Sequence, residues 1–175
     1  MFSAVNNHAQ RHAGKYAGGA VAISLCAVLL AHWEGEDRTA KHNYFDPPGV
    51  ITVCDGVTNY DWPSLKVGEK FTHEQCQQAL QDLIPRYAAP VQKCVPGLYQ
   101  MPPHRQASLI SFAYNLGPAR ICHSRIAPLL NAGNVRSACS LMTHYINANG
   151  RTLPGLVNRR EDPVWGEQSW CLRKD

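Results

Sequence analysis

The sequence lacks the residue arrangements that would indicate a metalloenzyme or a nucleic-acid-binding protein. Its seven cysteines and eight histidines form no C-x-x-C pair and no H-x-x-H or H-E-x-x-H array, so their spacing gives no support for a zinc site. Lysine and arginine are scattered without a run of five or more, and the net charge is only +4. We therefore expect no metal, no cofactor and no nucleic-acid partner.

Long hydrophobic runs are also scarce, and the exception lies near the N-terminus. Residues 16–31 read YAGGAVAISLCAVLLA, sixteen residues without a charge, and basic side chains precede them. Three interpretations stay open: an uncleaved signal anchor, a cleaved signal peptide, or a buried core helix. The basic flank and the missing small-residue cleavage site favour the signal anchor. We expect a membrane segment at residues 1–32 and a second domain at residues 33–175.

Six of the seven cysteines lie in the body of the chain. An even set favours a disulfide framework in an oxidising compartment over free thiols in a cytoplasmic protein, although its connectivity stays open. We predict a bridge between Cys139 and Cys171, and with weaker support one between Cys76 and Cys94. Cys26 lies in the apolar run, and we include the hypothesis that its thiol exchanges with a body disulfide after leaving the membrane.

Turn signals and helical periodicity divide the rest of the chain. DPPG and CDG flank VITVC, which predicts a small hairpin over residues 43–58, and we expect strands only there. THEQ at residues 72–75 resembles a capping box that begins a helix, and Gly117 ends another. These patterns indicate an α+β fold: an N-terminal apolar helix, a small β-hairpin lobe, then a mainly helical lobe, with a ligand cleft.

Carboxylates cluster directly behind the apolar run. A pair of carboxylates across a cleft is what glycosidic-bond hydrolysis requires, because one protonates the leaving oxygen and the other handles water or the oxocarbenium charge. Charged loops beside an apolar helix are more often solvated surface, so the cluster alone is weak evidence. Its members are Glu34, Glu36, Asp37, Asp46 and Asp55.

The order of motifs adds a resemblance that covers roughly residues 15–172. WEG, DPPGVITVCDGVT, ASLISFAYNLG, LLNAG, LPGLVNRRE and WCL follow one another, and this order is similar to that of the phage-type lysozymes of glycoside hydrolase family 24. Endolysins of lambdoid phages with a signal-arrest-release N-terminus are especially similar.

The resemblance implies a lysozyme-like fold and muramidase activity, the hydrolysis of the β-1,4 bond between N-acetylmuramic acid and N-acetylglucosamine in peptidoglycan. It also implies an inner-membrane form, held by residues 16–31, that is released to the periplasm to lyse the host. We expect the protein to be a monomer.

On this resemblance Glu34 is the general acid, Asp46 positions a water molecule and Thr52 helps to hold that water. Eleven residues separate Glu34 from Asp46, whereas the family usually has eight, the spacing that Asp37 has. We prefer Glu34 because it carries the EG context at the end of the preceding helix, and KHNYF can be a short insertion in the first strand of the hairpin. Asp37 and Glu36 remain the alternatives.

Several further residues have expected roles, and two alternative functions stay open. We interpret Arg159 and Arg160 as a surface cluster in preference to contacts with a cell-wall carboxylate. Tyr114 and Asn115 match a family motif that faces the cleft, and a core role for Phe112 and Tyr114 fits equally well. The chain is alternatively a lytic transglycosylase, which forms an anhydro sugar with a single glutamate, or a non-catalytic, membrane-anchored cell-wall-binding module.

Overall fold

The computed structural model describes residues 17–35, 37–42, 49–54, 56–148 and 150–174. Its helices are α1 (Ala17–Glu34), α2 (His73–Cys94), α3 (Pro103–Leu116), α4 (Ala119–Cys122), α5 (Ile126–Asn131), α6 (Val135–Met142), α7 (Pro154–Glu161) and α8 (Glu167–Leu172), with a 3₁₀ turn at Leu98–Gln100. Its strands are β1 (Asp37–Lys41), β2 (Thr52–Cys54), β3 (Val57–Thr58), β4 (Asn147–Ala148) and β5 (Arg151–Thr152). The predicted α+β class, with a small sheet lobe and a mainly helical body, is confirmed.

The small lobe is an antiparallel sheet in the order β1-β2-β3. Strands β2 and β3 lie inside the predicted hairpin, but β1 begins earlier than expected because its sequence, DRTAK, has no apolar alternation to mark it. The expectation that strands occur only within residues 43–58 is wrong, since β4 and β5 form a second, two-stranded sheet. Those strands are two residues long, too short for a period-2 pattern.

Helix α1 packs into the same core as the rest of the chain and crosses the expected boundary between residues 32 and 33. Cys26, Leu29 and Leu30 are fully buried against residues of α2, α3 and α8. The other face is exposed yet still apolar, with Val21 and Val28 about half accessible to solvent. In the described part of the chain, we find no helix with both the length and the apolar character needed to cross a bilayer.

Helices α2 and α3 form the centre of the helical body, and both follow the sequence signals. Thr72 caps α2 with its side-chain oxygen while Gln75 returns a bond to the cap backbone, which confirms the capping box. Gly117, with a φ of 83°, ends α3 as predicted. Helix α3 is buried on two sides, since Leu109 and Phe112 belong to one core cluster and other residues of the helix to a second.

Three disulfides connect the elements. Cys139–Cys171 joins α6 to α8 and confirms the first predicted bridge. The predicted Cys76–Cys94 bridge is wrong, because these residues lie near opposite ends of α2, about 27 Å apart at 1.5 Å per residue, whereas bridged Cα atoms lie within about 7 Å. The remaining bridges are Cys54–Cys76, from the sheet to α2, and Cys94–Cys122, from α2 to α4.

Cys26 is a free, fully buried thiol in the folded protein. Burial, with a smaller contribution from the Glu167 carboxylate, raises the pKa of this thiol well above its ordinary range, against the opposing effect of Arg159. Since the thiolate is the reactive form, the folded state keeps Cys26 inert. Any exchange with a disulfide belongs to a state in which α1 is not docked, and the hypothesis of such an exchange stays a prediction.

Candidate active site

A cleft of about 230 Å³ lies between the C-terminal end of α1 and the small sheet. The α1 side contributes a carboxylate, and the sheet side contributes a hydroxyl, a cation and backbone. The lining residues are Glu34, Gly35, Lys41, Thr52, Val53, Cys54 and Gly56. Because Glu34 and Thr52, two of the residues predicted to be catalytic, line this cleft, it is the candidate active site.

The end of α1 sets the position of Glu34. The helix ends at Glu34 because Gly35 adopts a left-handed conformation, with a φ of 70°, and the chain turns directly toward β1. This turn places the Glu34 carboxyl at the cleft with a quarter of its side chain exposed. Thr52 lies on β2, where it is paired with Lys41 of β1 and Thr58 of β3.

The structure therefore brings Glu34 and Thr52 to one cleft. Of the other candidate residues, only the backbone of Asp37 is described. Asp46, Glu36 and Asp55 lie outside the described residues. The backbone of Asp37 opens β1 opposite Cys54, so Asp37 belongs to a strand and not to the end of the helix. The assignments of Glu34, Asp46 and Thr52 to catalytic roles stay predictions.

Gly56, one of the residues that line the cleft, has a backbone conformation that favours glycine. Gly56 has a φ of 88°, and a Cβ atom there would lie 3.2 Å from the hydroxyl of Tyr114. Tyr114 in turn packs against Tyr87, with ring centroids 4.7 Å apart. Tyr114, on α3, thus packs against Gly56, while Phe112 is fully buried in the core.

Arg159 is a site residue whose contact with Glu34 no sequence pattern indicated. Its side chain is 5% exposed, and its Nη1 donates to Oε1 of Glu34. Its Nε donates to Oε1 of Glu167, 3.1 Å away. The expectation of a surface cluster at Arg159 and Arg160 is wrong, because both guanidinium groups point into the body of the protein and pair with carboxylates there.

Arg160 and Glu167 complete the buried cluster. Arg160 donates from Nη1 to Oε2 of Glu167 and from Nη2 to Oδ1 of Asn115, 2.6 Å away. Its guanidinium lies over the Phe112 ring, 4.8 Å from the centroid. Ser111 Oγ donates to Glu167 Oε1 at 2.8 Å. Asn115, matched to a cleft-facing motif, therefore serves as an acceptor in this cluster.

The charges in the cluster balance, with two guanidinium groups and two carboxylates. Burial acts to lower the pKa of Arg159, but the carboxylates of Glu167 and Glu34 outweigh it, so the pKa is raised. For Arg160 burial dominates and the pKa is lowered despite Glu167. Unpaired buried charges are costly, so each carboxylate stabilises the arginine that it contacts.

The fold and the cleft place a carboxyl group at the end of a helix across from a small sheet. Comparison with known proteins identifies the class of this chain as a hydrolase of the lysozyme type. A family model described as Phage lysozyme matches residues 31–163. The chain belongs to the phage lysozyme family, which confirms the resemblance stated above.

Relatives and solved structures agree with this assignment. The SAR-endolysin of bacteriophage PS119 is 32% identical over 161 residues, which cover 86% of this chain and 90% of the relative. The SAR-endolysin of Escherichia phage Mu is 34% identical over 150 residues, 83% of this chain and 81% of the relative. The endolysin from Escherichia coli O157:H7 phage FAHEc1 superimposes with a TM-score of 0.68 at 27% identity, covering 85% and 90% of the two chains. The protein is thus a phage endolysin of the lysozyme type.

Proposed function

We propose that this endolysin hydrolyses the β-1,4 bond between N-acetylmuramic acid and N-acetylglucosamine in peptidoglycan, with Glu34 as the general acid. The observation that carries the proposal is that Glu34, at the end of α1, and Thr52, on β2, line one cleft. The family resemblance supplies the remaining roles. Asp46 positions the attacking water, and the Thr52 hydroxyl helps to hold it.

In this mechanism Glu34 donates its proton to the glycosidic oxygen as the bond from that oxygen to the anomeric carbon breaks and water attacks the same carbon. The attacking water releases one proton to solvent, and Glu34 takes one up from solvent before the next cycle. Arg159 binds Oε1 of Glu34 and so orients the carboxyl group. Because Oε1 accepts this bond, Oε2 is the oxygen that carries and donates the proton. The guanidinium also stabilises the carboxylate that remains after proton transfer, because the two opposite charges are in contact. The proposed roles need a proton from Glu34 and a water molecule, and they involve no cofactor.

The products of purified peptidoglycan distinguish this proposal from the alternatives. A muramidase adds water across the bond, so the muropeptides carry an ordinary reducing end. A lytic transglycosylase forms an anhydro sugar that is lighter by one water molecule, and a binding module releases nothing. We expect mass spectrometry of the digest to show muropeptides with reducing ends, each heavier by one water molecule than its anhydro form. Anhydro products would overturn the assignment to hydrolysis.

Substitutions at Thr52 test the role of its hydroxyl. Thr52→Ser keeps the hydroxyl and is expected to retain more activity than Thr52→Val, which keeps only the shape. Asp46→Asn is expected to be worse than Thr52→Ser, because a carboxylate that positions water contributes more than a hydroxyl that helps to hold it. Turbidity clearing of peptidoglycan measures this ranking. Equal rates for the serine and valine variants would mean that Thr52 only fills a position in β2.

We further propose that residues 16–31 hold the protein in the host inner membrane until it is released to the periplasm. The uncharged run with its basic flank supports this, as do the names of the relatives, which are SAR-endolysins. The apolar outer face of α1 fits a helix that also contacts lipid. On this proposal residues 1–32 are the membrane segment and residues 33–175 the catalytic part before release, and α1 joins the core afterwards.

A further inference from the structure

Glu167, the first residue of α8, is a fully buried carboxylate that does not line the cleft. Its Oε1 accepts from Ser111 Oγ and from Arg159 Nε, and its Oε2 accepts from Arg160 Nη1. Its backbone oxygen accepts from Ser108 Oγ at 2.6 Å. A carboxylate with this many donors is held in one orientation.

We propose that Glu167 is a positioning residue for the reaction, holding Arg159 in the orientation in which that guanidinium binds Glu34. The inference rests on the proposed function of Glu34. Glu167 and Glu34 accept from different nitrogens of the same planar group, Nε and Nη1. Because the guanidinium is rigid, fixing Nε fixes the direction in which Nη1 meets Glu34.

Helix α8 is held in place by several contacts, so the position of Glu167 is fixed. Cys171, one turn after Glu167, is bridged to Cys139 of α6. Its carbonyl also accepts from Arg105 Nε at 2.8 Å. Trp170 Nε1 donates to the Val164 carbonyl, which ties α8 to the segment before it. These contacts hold α8 against α6 and α3. Glu167, on α8, bonds to Arg159 and so limits where that guanidinium can lie.

The test compares Glu167→Gln with Glu161→Gln in the purified, folded enzyme. Both variants lose one negative charge, but Glu161 is exposed at the end of α7. We expect Glu167→Gln to lower kcat about tenfold with little change in KM, because the guanidinium of Arg159 then orients the Glu34 carboxyl group less well. Glu161→Gln should match the wild type in both.

A double-mutant cycle separates positioning from general stability. In an Arg159→Gln background, Glu167→Gln should change kcat less than twofold, since the residue acts through Arg159. Rates are expressed per folded enzyme, measured by circular dichroism. Should Glu167→Gln not fold, Ser111→Ala removes a hydroxyl that donates to Glu167 and also accepts from Arg159 at 3.4 Å, and it should lower kcat about twofold to threefold.

Several outcomes overturn the inference. One is a loss of rate that follows only the loss of folded protein or that lies in KM and not in kcat, and another is the same tenfold loss in the Arg159→Gln background. If Ser111→Ala takes the place of the glutamine variant, an unchanged kcat also overturns it. If the wild type itself does not cleave peptidoglycan, the proposed function fails instead, so the two failures are distinguishable.

Discussion

Glu34→Gln is expected to lower the rate of peptidoglycan cleavage by at least about two powers of ten, because general-acid catalysis alone contributes about 10² to 10⁴-fold. Glutamine has nearly the same shape but no carboxyl proton to donate to the glycosidic oxygen. It also removes the negative charge that Arg159 contacts, which disturbs the electrostatics of the site. Initial rates of turbidity clearing with purified peptidoglycan measure the loss.

Asp37→Asn is the matched control for this prediction. Asp37 has the family's usual spacing to Asp46, but its backbone lies in β1 and not at the end of α1. We expect Asp37→Asn to cost little activity. If Asp37→Asn abolished cleavage while Glu34→Gln did not, the assignment of the acid would be wrong and the spacing would have been the better guide. A thermal melt of each variant checks that the fold is intact.

Leucine at the exposed positions of α1 is expected to keep the protein in the membrane and prevent lysis. Residues 16–31 form at most about 24 Å of helix, short of the roughly 30 Å hydrocarbon core, so the segment should be only weakly held. Ala20, Ser24 and Ala31 are exposed in the folded form, so leucine there adds about 0.3 to 0.6 kcal/mol of membrane affinity each without altering the packed face. Membrane fractionation after the potential is collapsed measures retention.

Two further variants help to interpret this result. Serine at Ala20 and Ala31 should release at least as readily as the wild type, since it lowers the hydrophobicity of the same face. A chain beginning at His32 lacks Cys26, Leu29 and Leu30 of the core, so we expect it to be unfolded and inactive. If the leucine variant fractionated as soluble protein and lysed cells on schedule, residues 16–31 would not be a membrane anchor.

Much of the fold could be predicted because its signals are local. The capping box at Thr72 and the glycine at position 117 act within one helical turn, where neighbouring residues alone set the geometry. The motif order from Glu34 onward likewise indicated the family. The short strands β4 and β5 carried no such signal. Strand β1 has a polar sequence that does not predict a strand, and it forms one by pairing with β2.

The sequence by itself determined the fold class, through local patterns, and the family, through the order of motifs along the chain. The resemblance to that family then indicated the carboxyl group proposed as the acid. Only the tertiary structure decided that Arg159 contacts Glu34, 125 residues away, and that Glu167 holds the other side of the same guanidinium. In sequence, two arginines beside a glutamate resemble a solvated surface cluster. Their burial is decided by which helices pack around them, because a buried charge is tolerated only where distant carboxylates meet it.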